Sequence, residues 1–182
     1  MKILSFNCRG LASSHKKSSL KQLVDSTRPD VIMLQETQGD SSVAKTLLEN
    51  MFLGWEFEGL DARGRSGGLA TGWRTKDCKC VNMVGFESGM GVQLYFVEFG
   101  KSLTVLNIYG PYTNRESYWN DLLAKDFIKN NWVILGGDLN LTLGAAEIWG
   151  PRAIPDTLAD FFISSFARAG LVDVEPTKLL TT

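Results

Sequence analysis

Histidine is almost missing from this chain: the only one is His15, which falls between the first apolar run and the first helical pattern and reads as a surface or cap residue. Cysteine is scarce too, with Cys8, Cys78 and Cys80 alone. An odd count without a secretory leader points to reduced thiols and an intracellular setting. The opening MKILSFNCRG lacks the long apolar stretch of such a leader. Cys78 and Cys80 suggest a metal pair, but a zinc site needs about four ligands and no partners lie near them. One strand placing both thiols on the same face is the simpler expectation. No window approaches the roughly 18 apolar residues of a membrane span. Net charge is −1, so bulk charge neither demands nor forbids a nucleic-acid partner. Repeats, linkers and low-complexity tracts are absent.

What is present is ordinary globular composition. With 182 residues, 44% hydrophobic and 21% charged, the chain can bury a core, and a single domain over 1–182 is expected. The charges are unevenly spread. Lys2, Arg9, Lys16, Lys17, Lys21 and Arg28 face only Asp25 in the first 28 positions, and seven acids against Lys45 follow from Asp30 to Asp61. Arg63, Arg65, Arg74, Lys76 and Lys79 then form a second basic cluster. Such patches can track a phosphate backbone or serve simply as solvated faces.

Hydrophobic periodicity gives the elements. Lys2 to Phe6 is a short strand, Ser18 to Ser26 spaces Leu20, Leu23 and Val24 as a helix face, and Val31 to Leu34 is a buried strand. This β-α-β order predicts parallel pairing through a right-handed crossover. A second helix spans about Ser42 to Met51. Five strand-like runs follow: Trp55–Leu60, Gly67–Trp73, Cys80–Phe86, Val92–Phe99 and Leu103–Tyr109. The fourth has apolar residues on both faces and is expected to be covered on both sides. A helix from Arg115 to Ile128 leads to the strand WVILGG. Asp156 or Thr157 is expected to cap a last helix lined by Leu158, Phe161, Phe162 and Phe166 and stopped near Gly170. The pattern predicts a mixed α/β domain with two sheets face to face and helices outside.

The strand ends carry the chemistry. Asn7, Gln35-Glu36, Tyr109 and the pair Asp138 and Asn140 all stand at C-terminal ends, where open α/β sheets collect ligand sites. Carboxylate and carboxamide oxygens suit magnesium rather than zinc. If the chain stays extended, Asp138 and Asn140 point to one side. Gly136 and Gly137 are expected to end the strand at the rim and let a substrate approach. Each piece also has a plain reading as a cap or a turn.

Taken in order, SFNCRG, DVIMLQET, RSGGLATGW, NIYGPY and GGDLN resemble the endonuclease/exonuclease/phosphatase superfamily. Within it the chain looks most like the apurinic-type endonuclease domain of plant LINE-type (non-LTR) retrotransposon polyproteins, a likeness shared by RESYWNDLL and PDTLADFFISSFARAGLVDV. The resemblance implies a four-layer α/β-sandwich and a divalent-metal phosphodiesterase. Glu36 is then the principal ligand of Mg²⁺, or of Mn²⁺ as an alternative, with Asn7 beside it. Asp138 resembles the residue that orients or deprotonates the attacking water. Asn140 resembles the amide bonded to the scissile phosphate, and Tyr109 the neighbouring phenol. DNA is the implied substrate, in the nucleus for a domain of retroelement origin, with no membrane and no obligate protein partner.

Family members also carry a closing Ser-Asp-His motif beyond the last helix, and no histidine follows Asn140 here. The expectation is a domain lacking its C-terminal strands, prone to self-association through an exposed sheet edge, and with impaired turnover. Three readings stand: a nucleic-acid endonuclease domain, a non-catalytic remnant that binds metal or nucleic acid, and a small-molecule phosphodiesterase or phosphatase.

Overall fold

A computed structural model describes residues 1–63, 66–129, 132–144, 147–148 and 154–174. Arg65, from the second basic cluster, and the C-terminal Leu179 to Thr182 lie outside the described residues. The chain forms two compact units, one of Met1–Gly110 with Asn131–Leu139 and the other of Pro111–Asn130 with Asn140–Thr182.

The first unit contains two four-stranded mixed sheets. In chain order its elements are β1 (Ile3–Asn7), α1 (Ser14–Thr27), β2 (Val31–Gln35), α2 (Ser41–Met51), β3 (Trp55–Arg63), β4 (Ser66–Arg74), β5 (Cys78–Phe86), β6 (Gly89–Phe96), β7 (Lys101–Tyr109) and β8 (Val133–Asp138). One sheet is ordered β1-β2-β4-β3 and the other β5-β6-β7-β8. The first β-α-β crossover pairs β1 with β2 in parallel, as the sequence pattern predicts.

Strand β2 is buried along its whole length, and its two faces serve two cores. Ile32 and Leu34 pack with Leu20, Val24 and Leu48 of the helices, while Val31 and Met33 pack with Val92, Leu94 and Val105 of the second sheet. Period-two alternation thus builds an α/β sandwich from one strand outward. Cys78 is buried and Cys80 half-buried on the inter-sheet side, with Lys79 exposed between them, so the shared face of the two thiols is borne out.

Four local expectations need correction. The fourth strand-like run is covered on both faces only at its start: Tyr95, Val97 and Phe99 are exposed. Gly136 and Gly137 do not end β8 but lie inside it, paired with Asn107 and Ile108 of β7. A Cβ at Gly136 would stand 2.6 Å from the Met33 methyl, and one at Gly137 2.0 Å from the Ile108 carbonyl oxygen. The glycines therefore let β8 approach its neighbours in a tight inter-sheet space.

The other two corrections fall in the second unit. The helix expected over Arg115 to Ile128 is two helices, α3 (Arg115–Leu123) and α4 (Asp126–Lys129), because Lys125 bonds back to Leu122 and Ile128 to Lys125 in tight three-residue steps. The last helix, α5 (Ala159–Arg168), ends before Gly170, which takes φ 73°. Trp119 of α3 meets Phe162 and Phe166 of α5 edge-on. Arg115 lies over the Phe162 ring and forms a two-pronged ion pair with Asp156. Asp156 also accepts from the Leu158 N–H, but the N-cap of α5 is Leu158 itself and no side chain caps the helix, so neither Asp156 nor Thr157 takes the expected position.

Candidate active site

The inward-facing alternation of the first unit runs out at one rim. Ile3, Ser5 and Asn7 on β1, Leu103, Val105, Asn107 and Tyr109 on β7, and Gly136 and Asp138 on β8 follow one period of two toward the inter-sheet space. Asn7 pairs in register with Gln35, and Tyr109 with Asp138. Glu36, one residue beyond β2, would by simple alternation face the helices. Its backbone instead turns into the left-handed region, φ 54°. For a residue with a Cβ such a backbone is strained by about 1–2 kcal/mol, and strain of this kind gathers at functional sites.

The strain is held by neighbouring loops. Gly10 N–H donates to the Glu36 carbonyl at 2.6 Å and Cys8 N–H to the Gln35 carbonyl at 3.0 Å. On the other side, Thr37 and Gln38 donate to the carbonyls of Gly68 and Gly67. Gly68 has φ +80°, and a Cβ there would meet the Thr37 hydroxyl at 2.5 Å. The Gly-Gly of β4 thus lets the Glu36 loop close.

Four predicted site residues converge in this unit. The Asn7 amide nitrogen donates to Glu36 Oε1 at 2.7 Å and to Asp138 Oδ2 at 2.8 Å. Its oxygen accepts from the Arg9 N–H at 3.1 Å, which fixes which end of the amide faces the carboxylates. The Tyr109 hydroxyl donates to Glu36 Oε1 at 3.2 Å. All four side chains are half-buried. Asn140 lies in the second unit and takes φ 51°, so the extended chain assumed between it and Asp138 is not kept.

This donor set fits a hard divalent cation. Among the described residues no ion pair with Lys, Arg or His involves Glu36 or Asp138. No group of three or more His, Cys, Asp or Glu suited to a metal is found among them either. Two carboxylates suit a hard divalent cation that keeps several waters and takes further oxygens from phosphate. Soft ligation is unsupported. Cys8 donates its thiol to the Gln35 carbonyl at 3.1 Å, and burial pushes its pKa to about 11, so it stays protonated. His15, exposed in the first turn of α1, provides no imidazole here.

The family model for the Endonuclease/Exonuclease/phosphatase family matches residues 4–173. The chain belongs to that family. No curated protein sequence matches it. Among solved structures it is similar to the 3' phosphatase NExo from Neisseria bound to a product DNA hairpin, with TM-score 0.71 and 17% identity over 93% of this chain and 71% of that one. It is also similar to an AP endonuclease from Archaeoglobus fulgidus, with TM-score 0.69 and 15% identity over 92% and 70%. The human Nocturnin catalytic domain with bound sulfate anion matches at TM-score 0.61 and 15% identity, over 78% of this chain. The chain spans 64% of the length of that domain. At these identities the likeness is one of fold, and it bears out the α/β sandwich of the family. No helix among the described residues is long and apolar enough to cross a membrane.

Sequence reasoning missed Asn107 next to this site and named Gln35 only as part of a strand end. Gln35 is 1% and Asn107 0% exposed, and the two amides meet across the sheets at 2.8 Å. An amide inside the apolar run TVLNIY was the available signal, since a buried polar group must find partners.

Proposed function

We propose that the first unit binds one divalent cation, Mg²⁺ or Mn²⁺, at Glu36 and hydrolyses phosphodiesters of DNA. The observation that carries this reading is the pair of carboxylates, Glu36 and Asp138, drawn onto one amide nitrogen with no basic side chain paired to either among the described residues. Glu36 is the ligand. Asn7 stands next to it and, by donating to both carboxylates, sets the direction in which each presents its remaining oxygen. Asp138 accepts the proton of the attacking water, and Tyr109 stands next to the phosphate with its one hydroxyl proton donated to Glu36. When bound, the cation polarises the phosphoryl group and offsets the charge that develops in displacement. For Asn140 a phosphate contact rests on the sequence motif alone.

The preference for DNA is supported by the motif order that resembles the LINE-type endonuclease domain and by relatives named as an AP endonuclease and a DNA-bound phosphatase. A retroelement source and nuclear residence belong to the same proposal. Because one relative is a 3' phosphatase, removal of a 3'-terminal phosphate is the second reading. The test is nicking of supercoiled plasmid with and without Mg²⁺, beside phosphate release from a 3'-phosphorylated oligonucleotide. Turnover is expected to be low, because no histidine follows Asn140, with any magnesium-dependent nicking lost in Glu36→Ala; nicking at a full rate would overturn the impairment. Cleavage that persists in Glu36→Ala, or in chelator, would overturn the assignment.

A further inference from the structure

The geometry points to Gln35 and Asn107 as positioning residues that hold Glu36 and Tyr109 in metal-binding order, an inference that rests on the proposed reading of the site. Neither reaches the rim. The Gln35 amide nitrogen donates to Asn107 Oδ1 at 2.8 Å and to the Ser5 hydroxyl at 3.3 Å. The Asn107 amide nitrogen donates to the carbonyls of Leu34 and Ala70, both at 3.1 Å, and to the Thr71 hydroxyl at 3.2 Å. Two side chains thereby tie β1, β2 and β4 of one sheet to β7 of the other. Each lies one or two residues from a site residue: Gln35 precedes Glu36, and Asn107 stands two before Tyr109 on the same face.

Apolar packing alone would hold the sheets together but would fix their sliding poorly, since methyl contacts have no direction. A satisfied amide pair fixes it, because each bond has a narrow range of length and angle. Sliding of β7 along β2 by about 1 Å would break the 3.2 Å contact between Tyr109 and Glu36. The clamp also explains why the amides are tolerated in a core otherwise made of apolar side chains such as Met33, Trp73, Val92, Leu94 and Phe96.

The experiment measures Mn²⁺ affinity by titration, with unfolding followed separately, on the full chain. The double variant Gln35→Met with Asn107→Leu replaces both amides by apolar groups of like shape, so neither is left unpaired against the other, while the Ser5, Leu34, Ala70 and Thr71 oxygens each give up one bond, and unfolding reads that cost. Its Mn²⁺ dissociation constant is expected to rise about 10-fold or more, the size seen when groups behind a metal ligand are removed. Leu48→Ala, in the other core, destabilises the fold without touching the clamp and is expected to leave Mn²⁺ affinity unchanged. If the double variant does not fold, Gln35→Met alone keeps the three bonds donated by Asn107 and is expected to weaken Mn²⁺ about threefold or more. Unchanged affinity in a folded variant, while Glu36→Ala abolishes binding, overturns the clamp and leaves the site reading intact. An equal loss in Leu48→Ala also overturns it. Binding that survives in Glu36→Ala removes the site reading, and the clamp with it.

Discussion

Tyr109 and Asp138 are register partners at the ends of parallel strands β7 and β8, and their side chains reach Glu36 and Asn7 respectively. The pairing brings two carboxylates toward one amide with no Lys or Arg bridged to either among the described residues. Like charges held together weaken the metal-free fold. Asp138→Asn and Glu36→Gln are therefore expected to match or exceed the natural chain in stability without metal, more clearly at low salt. Saturating Mg²⁺, at about 100-fold over its dissociation constant, should raise the natural melting temperature by about 5–10 °C and the Glu36→Gln one hardly at all. Thermal melts with and without Mg²⁺ check both arms. A large metal-free loss in Asp138→Asn would show that the carboxylates stabilise the fold instead.

Gly137→Ala should be among the most damaging single changes. The residue has φ +131°, and its Cβ would lie 2.0 Å from the Ile108 carbonyl oxygen and 2.8 Å from the Ile108 nitrogen. Backbone cannot yield as a side chain tip can, so strain and overpacking together should cost about 3 kcal/mol or more. Gly144→Ala has nothing within 4 Å of the added Cβ and should stay within about 0.5 kcal/mol. Urea unfolding of the two variants provides the comparison.

These glycines also mark the limit of reading the sequence. GGD reads as a strand end because glycines usually punctuate, yet here they keep β8 in the ladder beneath Met33 and beside Ile108. The strands were legible because apolar alternation is local. So were Asn7, Glu36, Tyr109 and Asp138, because polar groups at four strand ends stand out. Glu36 reaching the inner face was not legible: it depends on φ 54°, which Gly10, Gly67 and Gly68 impose from other parts of the chain through their bonds to Glu36, Thr37 and Gln38. Asn107 escaped for the same reason, since its partners lie 36 to 73 residues away. The break between α3 and α4 has no Gly or Pro to announce it.

In the second unit, Asp156 provides a pH signature. The Arg115 guanidinium bonded to it holds its carboxyl below the usual carboxylate range, against a desolvation effect of opposite sign, helped by the Leu158 N–H. A depressed folded pKa contributes stability that is complete above the unfolded value, about 3.9, and is lost as pH falls through the folded one. Acid unfolding of the natural chain should therefore steepen below about pH 4. Asp156→Asn should flatten that limb and cost about 1.5–3 kcal/mol at pH 7, the range for a hydrogen bond to a charged group. Urea unfolding at pH 7 and pH 3 measures both effects, and equal pH slopes in the two proteins would count against them.

The thiols should separate by reactivity. Burial pushes Cys78 to about 12 and Cys8 to about 11, and Cys80 is raised as well, again by desolvation first. Cys78 and Cys8 are also closed to reagent, at 0% and 6% exposed, whereas Cys80 is half-buried. At pH 8 a disulfide reagent should titrate Cys80 slowly in the native chain and leave the other two, while all three react in denaturant. Because a raised thiol pKa favours the protonated folded form, the contribution to stability is complete below the unfolded value of about 8.5 and is lost as pH rises toward the folded values. Alkaline unfolding should thus begin above about pH 9 and weaken in Cys78→Ala, where the residue that resists ionisation has been removed. Rapid native reaction at Cys8 would mean that the loop joining Asn7 to Gly10 opens, and with it the contacts that hold Glu36 in its left-handed turn.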